Sequence, residues 1–325
     1  LLLISAVLLQ TIAFSQSGEF RFASYNLLNY DASSGSRNAD FSTVINEIEP
    51  DILAVQELES ENGLNLFLGG VMGTEYSKCT YINGPDTESG LIYRTSMFSC
   101  DGSVAIETEL RDINQFTLVH TGTQKTITIF SVHLKAGDAQ FEADQRAREI
   151  NNLIEVIENL PPGSQYIITG DFNIYGSTED AYQNLLAAGV VDPINMFGTW
   201  NDPGYSHFHT QSTRTGGGTA GGIGGGLDDR FDLILFSENV ESAGGLTYVF
   251  GSLTPFGNDG AHYDDAINEL PNSAVSAAVA NALHDASDHL PVYADFTIDT
   301  LSAIGEELAG FSIRVFPKMV NDMAS

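Results

Sequence analysis

Ile168-Thr-Gly-Asp-Phe-Asn173 decides how this chain is read. A short apolar run, Tyr166-Ile167-Ile168, reaches Gly170 and then places an acid and an amide two residues apart. In extended backbone, residues i and i+2 point to the same side, so Asp171 and Asn173 project together from a strand end. Gly170 lets another backbone or a ligand come close. An ionised Asp accepts a proton or binds a metal, and an Asn amide holds a phosphoryl oxygen without adding charge. An isolated Asp-Phe-Asn is equally a strand followed by an Asx turn. The stretch gains meaning only through partners elsewhere in the chain.

On its N-terminal side, Phe141–Leu160 is an amphipathic helix with Ile150, Leu153, Ile154 and Ile157 on one face, ended by Pro161-Pro-Gly163. Before that, Lys125–His133 alternates through Ile127 and Ile129 and ends on His133. Further back, Glu19–Tyr25 reads as a strand ending at Asn26. Phe41, Val44, Ile45 and Ile48 fall at helical spacing, and Pro50 stops that helix. Asp51–Gln56 is a buried strand that delivers Glu57, and Leu64–Leu68 begins another helix. Ser89–Arg94 and Phe116–His120 read as strands.

On the C-terminal side, a helix starts at Ser177-Thr-Glu-Asp180 and runs through Leu185 and Leu186 to Gly189. Residues 198–227 are loop-like, with eight glycines between Gly216 and Gly226. Arg230–Phe236 is a strand carrying Asp232, and residues 237–272 are irregular. The helical Ser273–His284 leads to Ser287-Asp288-His289, then to a last alternating strand through Val292, Ala294, Phe296 and Ile298. Hairpins over 76–94 and 116–133 imply antiparallel pairing. Two sheets covered by helices fit this pattern better than one parallel sheet.

The chain has 325 residues, 42% of them hydrophobic, enough for a large core. Lys+Arg number 13 against 43 Asp+Glu, a net charge of −30, which excludes broad non-specific docking on a polyanion. Residues 1–15 are Leu-rich and uncharged, and end Ile12-Ala13-Phe14-Ser15, which fits an export signal cleaved before Gln16. No Met or basic stretch precedes Leu1, so that signal reads as N-terminally truncated; a buried N-terminal strand is the alternative. No apolar run reaches the roughly 20 residues of a membrane span. Cys79 and Cys100 are each close to a predicted strand (about 76–82 and 89–94). An oxidising compartment would bridge them if those strands pair as a hairpin.

Polar residues therefore gather at strand ends: Asn26, Glu57, His133, Asp171, Asn173, Asp232, Asp288 and His289. Each alone has a dull explanation, but sheets place functional groups at one edge in this way. The stretches Ser24-Tyr-Asn26, Val55-Gln-Glu57, Ser131-Val-His-Leu134, Gly170-Asp-Phe-Asn173, Arg230-Phe-Asp-Leu-Ile234 and Ser287-Asp-His-Leu-Pro-Val292 together resemble the DNase I-like endonuclease/exonuclease/phosphatase family. They stand in the family's order over residues 19–298.

The resemblance implies a four-layered α/β sandwich, two mixed β-sheets flanked by helices. It implies a metal-dependent phosphoesterase, most simply a nuclease, with a phosphatase or phosphodiesterase for small or lipid-linked phosphates as the alternative and a non-catalytic binding module as the other class. Glu57 would be the main ligand of Mg²⁺ or Mn²⁺, helped by Asn26 and Asp288. Asp171 would position or deprotonate water, Asn173 would hold a phosphate oxygen, Asp232 would orient His289, and His133 would donate to the phosphate. The substrate is a phosphoester, nucleic acid foremost, and no stable protein partner is implied.

Outside these motifs, Lys135, Arg146 and Arg148 offer a local basic patch, with Lys135 and Arg214 as candidate substrate contacts. His207, His209 and Arg214 lie in the glycine-rich loop region, either a substrate-contacting flap or a disordered insertion. Asp228-Asp229 and Asp264-Asp265 are candidates for a structural Ca²⁺, or solvated loop acids. The expected organisation is a signal over 1–15, the catalytic domain over 16–298, a linker over 299–310 and a partial sorting segment over 311–325. That last segment, Val315-Phe-Pro317 through Asn321-Asp322, resembles the start of a type IX secretion sorting domain of Bacteroidetes. It departs from that pattern in carrying Lys318-Met319 where Asn-Pro is usual.

Overall fold

The computed structural model describes residues 18–299, apart from 219, 241–243 and 270. The expected export signal, the sorting segment and all of the linker beyond Asp299 lie outside the described residues.

Two sheets stack face to face. The first collects β1 (Gly18–Tyr30), β2 (Ile52–Leu58), β3 (Tyr76–Lys78), β4 (Glu88–Arg94), β11 (Leu246–Tyr248), β12 (Thr254–Pro255) and β13 (Val292–Ile298). Its order is β11-β13-β1-β2-β4-β3, with β12 also paired to β13. The second collects β5 (Phe98–Ile106), β6 (Ile113–His120), β7 (Thr126–His133), β8 (Tyr166–Asp171), β9 (Val190–Val191) and β10 (Asp232–Ser237). Its order is β5-β6-β7-β8-β10-β9. Each sheet is mixed: β1 runs parallel to β2 and β7 parallel to β8, and the other pairs are antiparallel.

The period-two alternation of each strand decides the layers. Phe20, Phe22, Ile52 and Ala54 pack against Leu118, Ile127, Ile129, Ile167 and Ile234 between the sheets. The alternate residues face outward. Tyr25, Leu53 and Val55 meet Phe41 and Val44 of α1 (Asn38–Ile48), Leu64 of α2 (Glu61–Phe67) and Leu283 of α5 (Ala277–Ala286). Phe130, Val132 and Ile168 meet Ile150 and Leu153 of α3 (Gln140–Glu158) and Leu185 of α4 (Asp180–Ala187). The result is the expected helix–sheet–sheet–helix sandwich. A parallel β7–α3–β8 unit makes the opening stretch a central, fully buried strand.

Sequence reasoning missed β5. Its Ser-Cys-Asp-Gly-Ser core is polar because β5 is an edge strand, bulged between Cys100 and Gly102 and mostly open to solvent. This strand corrects the geometry of the disulfide. Cys79 and Cys100 are bonded, with Cα atoms 5.5 Å apart, but not across the β3–β4 hairpin. Cys79 follows β3 in the first sheet and Cys100 lies in the second, so the bond ties the two sheets together at their edges. It closes a span of 21 residues. Cys79→Ser is expected to lower unfolding stability by about 3 kcal/mol. A urea midpoint unchanged by the variant, or free thiols in the unreduced denatured wild type, would contradict this.

Candidate active site

The functional side chains come from one end of both sheets. Asn26 and Gln56 are register partners of β1 and β2, so Glu57 follows directly beside Asn26. Across the second sheet, His133, Asp171 and Asp232 are partners in one row of β7, β8 and β10. Asp288 and His289 lie just ahead of β13, which runs antiparallel to β1 and returns His289 to the same end. Two of these residues hold left-handed backbone, Glu57 at φ 58° and Asn173 at φ 50°. Non-glycine residues adopt it at a cost that the surrounding sheet ends must offset. Gly170, at φ 128°, is required sterically: a Cβ there would lie 2.0 Å from the Val132 carbonyl oxygen of β7.

Asp171 is the hub. Its Oδ2 lies 3.6 Å from His289 Nε2, 3.6 Å from His133 Nε2 and 3.2 Å from Asn26 Nδ2, which donates to it. Its Oδ1 accepts from the Asn173 backbone N–H at 3.1 Å. Asn26 Nδ2 also donates to Glu57 Oε1 at 2.9 Å, and His133 Nε2 is 3.8 Å from the same oxygen. His289 Nδ1 lies 2.7 Å from Asp232 Oδ2, both groups buried. That bond fixes the imidazole ring and aims Nε2 into the pocket.

Burial drives the electrostatics. It pushes the Asp171 carboxyl up to about 7, with repulsion from Asp232 and Glu57 adding to it and attraction from His289 opposing it. Burial disfavours charge on His289 as well, but attraction from Asp232 and Asp171 and the Asp232 hydrogen bond override it, holding the ring well above the usual histidine range. His133 goes the other way: burial, with repulsion from Arg111 and His289, holds it well below that range. The two histidines are thus split into a charged one and a neutral one. Glu57, Asp171 and His289 each offer a ligand atom within 4.8 Å of the others. The half-buried Glu57 carboxylate and the buried Asp171 carboxylate are the oxygen donors of this cluster, and such donors fit a hard divalent cation.

The model described as the endonuclease/exonuclease/phosphatase family matches residues 23–289. The chain belongs to that family. Truncated TDP2 of Caenorhabditis elegans is 16% identical with a TM-score of 0.55, covering 86% of this chain and 97% of that one. A family protein of Bacteroides thetaiotaomicron is 17% identical with a TM-score of 0.56 over 87% and 99%. TDP2 of D. rerio, solved with a single-strand DNA product, is 18% identical with a TM-score of 0.56 over 86% and 98%. At these identities the likenesses establish the fold. No curated protein matches the chain.

Within this family frame, the motif residues share one pocket: Glu57, His133, Asp171, Asn173, Asp288 and His289 all line it. Asn26 and Asp232 stand behind, buried. Asn26 points its Nδ2 at the carboxylates while its Oδ1 accepts from the Leu28 N–H at 3.0 Å, so here it steadies the ligand atoms and must turn over to become one. Asp288 stands outside the three-residue cluster and accepts from the Ile223 N–H at 2.7 Å. Asn173 Nδ2 donates to the Leu134 carbonyl at 3.2 Å.

Residues proposed outside the motifs go elsewhere. Lys135 is bound to Glu142 at 3.2 Å and to the Ala136 carbonyl, and does not line the pocket. Arg146 is buried, clasping Glu179 and the carbonyls of Lys135 and Gly137, and Arg148 pairs with Glu109 on the surface, so the basic patch is not free. Arg214 is buried under the glycine-rich loop, away from the lining. His209 is held by the Trp200 and Leu227 carbonyls, and His207 is exposed. Among the described residues, Asp228, Asp229, Asp264 and Asp265 belong to no group of three carboxylate, His or Cys ligand atoms within reach of one ion. Asp229 instead lines the pocket, pushed up to about 7 by burial and by Asp228.

Arg111 and Gln211 are among the lining residues that escaped sequence reasoning. Arg111, bridged to Asp86 at 3.1 Å, is the guanidinium of the pocket wall. Gln211 brings its side-chain amide nitrogen within 2.6 Å of His289 Nε2. Both lie outside the apolar runs that reveal strands.

Proposed function

We propose that this chain is a divalent-metal-dependent phosphodiesterase, acting outside the cell and foremost on nucleic acid. The observation that carries the reading is the convergence of Glu57, Asp171, His133 and the Asp232-locked His289 from four strand ends onto one pocket. Glu57 would be the principal ligand of Mg²⁺ or Mn²⁺, next to Asp171 and steadied by Asn26. Asp288, whose buried Oδ1 has no hydrogen-bond partner, would join them by turning toward the cluster. Bound there, the cation would supply charge to the phosphoryl and leaving oxygens.

The protein's own groups divide the remaining work. Asp171 Oδ2, 3.6 Å from both His133 Nε2 and His289 Nε2, takes the proton of the attacking water. His289, held charged, donates from Nε2 to an oxygen of the phosphate as negative charge grows. His133, held neutral, hydrogen-bonds the phosphate without adding charge. Asn173 and Arg111 hold non-bridging oxygens. The disulfide supports export, because such bonds persist in oxidising compartments. No described helix is long and apolar enough to cross a membrane.

A second reading, hydrolysis of small phosphodiesters, is favoured by the pocket wall, where Glu57, Asp86, Asp229 and Asp288 face one arginine. A substrate panel separates the two. Plasmid DNA and bis-p-nitrophenyl phosphate should be cleaved with Mg²⁺ or Mn²⁺, and EDTA should abolish both activities. Turnover of bis-p-nitrophenyl phosphate without plasmid cleavage would favour the second reading, turnover of p-nitrophenyl phosphate alone would overturn both, and turnover of none of the three would overturn the enzyme reading.

A further inference from the structure

The glycine-rich loop brings one aliphatic side chain over the pocket. Ile223 lines the cavity and is nevertheless 62% exposed. Its backbone is held on both sides: the N–H donates to Asp288 Oδ2 at 2.7 Å, and the carbonyl accepts from Ser212 Oγ at 2.6 Å. Single exposed aliphatic side chains are common on protein surfaces. Ile223 differs from the other exposed apolar residues, such as Phe141, Phe197 and Phe250, in standing on the pocket wall, where a ligand would cover it.

The floor beside Ile223 is equally distinctive. Gly221 and Gly222 line the pocket as bare peptide. A Cβ on Gly222 would fall 2.6 Å from Asp288 Oδ2 and 2.9 Å from Leu28 Cδ2, so a side chain there would have to displace Asp288 or Leu28. Leu28, Gly221, Gly222 and Ile223 therefore form an uncharged stretch of the pocket lining beside Asp288 and His289. The cavity holds about 480 Å³, room for one nucleotide rather than a two-chain lipid. Its acidic wall resists a run of several phosphates.

We propose that this stretch is a base-binding subsite, taking the flat face of the nucleobase next to the scissile phosphate, with Ile223 as its specificity-determining residue. The inference rests on the phosphodiester reading of the site and deepens it. A base has an apolar face whatever its identity, so the subsite selects nucleotides over bare sugar phosphates without reading sequence.

The test is equilibrium binding of thymidine 5′-monophosphate and of 2-deoxyribose 5-phosphate, in the presence of Mg²⁺, to the wild type, Ile223→Ala and Ile223→Leu. The wild type should prefer the nucleotide by about five- to tenfold. Ile223→Ala should remove most of that preference while leaving sugar phosphate binding unchanged, and Ile223→Leu should restore it. Equal affinity of the wild type for the two probes overturns the proposal. So does an equal loss for both probes in Ile223→Ala, or tighter binding of phosphocholine than of the nucleotide. A preserved preference that Ile223→Ala abolishes, in a protein that cleaves no DNA, removes the nuclease reading and leaves the base subsite standing.

Discussion

Asp171→Asn and His289→Ala each lower kcat on a phosphodiester by at least about a thousandfold, yet they shift stability in opposite directions. Asp171 is a carboxyl pushed up to about 7, chiefly by burial. An acid whose folded pKa exceeds its unfolded value destabilises the protein as pH rises from about 4 towards 7, because the charge must form inside the fold. The Asn variant lacks that penalty and keeps the shape. In EDTA its urea midpoint should exceed that of the wild type at pH 7, with the gap closing towards pH 4. His289→Ala does the reverse. It leaves Asp232, buried and 2.7 Å from the lost ring, without its partner, and costs about 3 kcal/mol. Parallel assays of kcat and urea midpoint check both claims. An Asp171→Asn enzyme that still turns over, or is less stable at pH 7, would refute the placement of Asp171 as the buried hub.

The sandwich was legible because its central strands are buried on both faces. Tyr166–Ile168 and Ile52–Val55 are continuous apolar runs that no surface loop sustains, and their strands end in acid or amide, Asp171 after Thr169-Gly170 and Gln56-Glu57 directly. The same contrast revealed Asn26, Glu57, His133, Asp171, Asp232 and His289 as a group. What stayed hidden depends on packing between distant segments. Strand β5 carries the composition of a loop because it is an edge. Lys135 and Arg146 look like free cations in the sequence, but Glu142 and Glu179 claim them once α3 docks. Arg111 and Gln211 reach the pocket from loop segments with no periodicity. Asp288 stands next to His289 in the chain, yet its Oδ2 is turned to the glycine-rich loop, a contact set by residues 65 positions away.

Gly170→Ala is expected to be the most destabilising single methyl that the sheet ends can receive, about 4 kcal/mol or more. Two costs add. At φ 128° an L side chain is strained wherever it points. The new Cβ would also meet Val132 O at 2.0 Å and Val132 C and N at 3.0 Å, all main-chain atoms of the paired strand β7 that cannot rotate away. Relief requires β7 and β8 to part, and these strands carry His133 and Asp171 as register partners. Activity should therefore fall even at temperatures where the variant remains folded. Gly163→Ala supplies the comparison. Its φ is 81° and nothing lies within 4 Å of the added Cβ, so it bears backbone strain alone and should lose only about 1 kcal/mol. Urea midpoints of the two variants measure the difference. Equal losses would mean that the contact with Val132 is relieved without parting the strands, and that the close approach of β7 to β8 does not hold Asp171 in place.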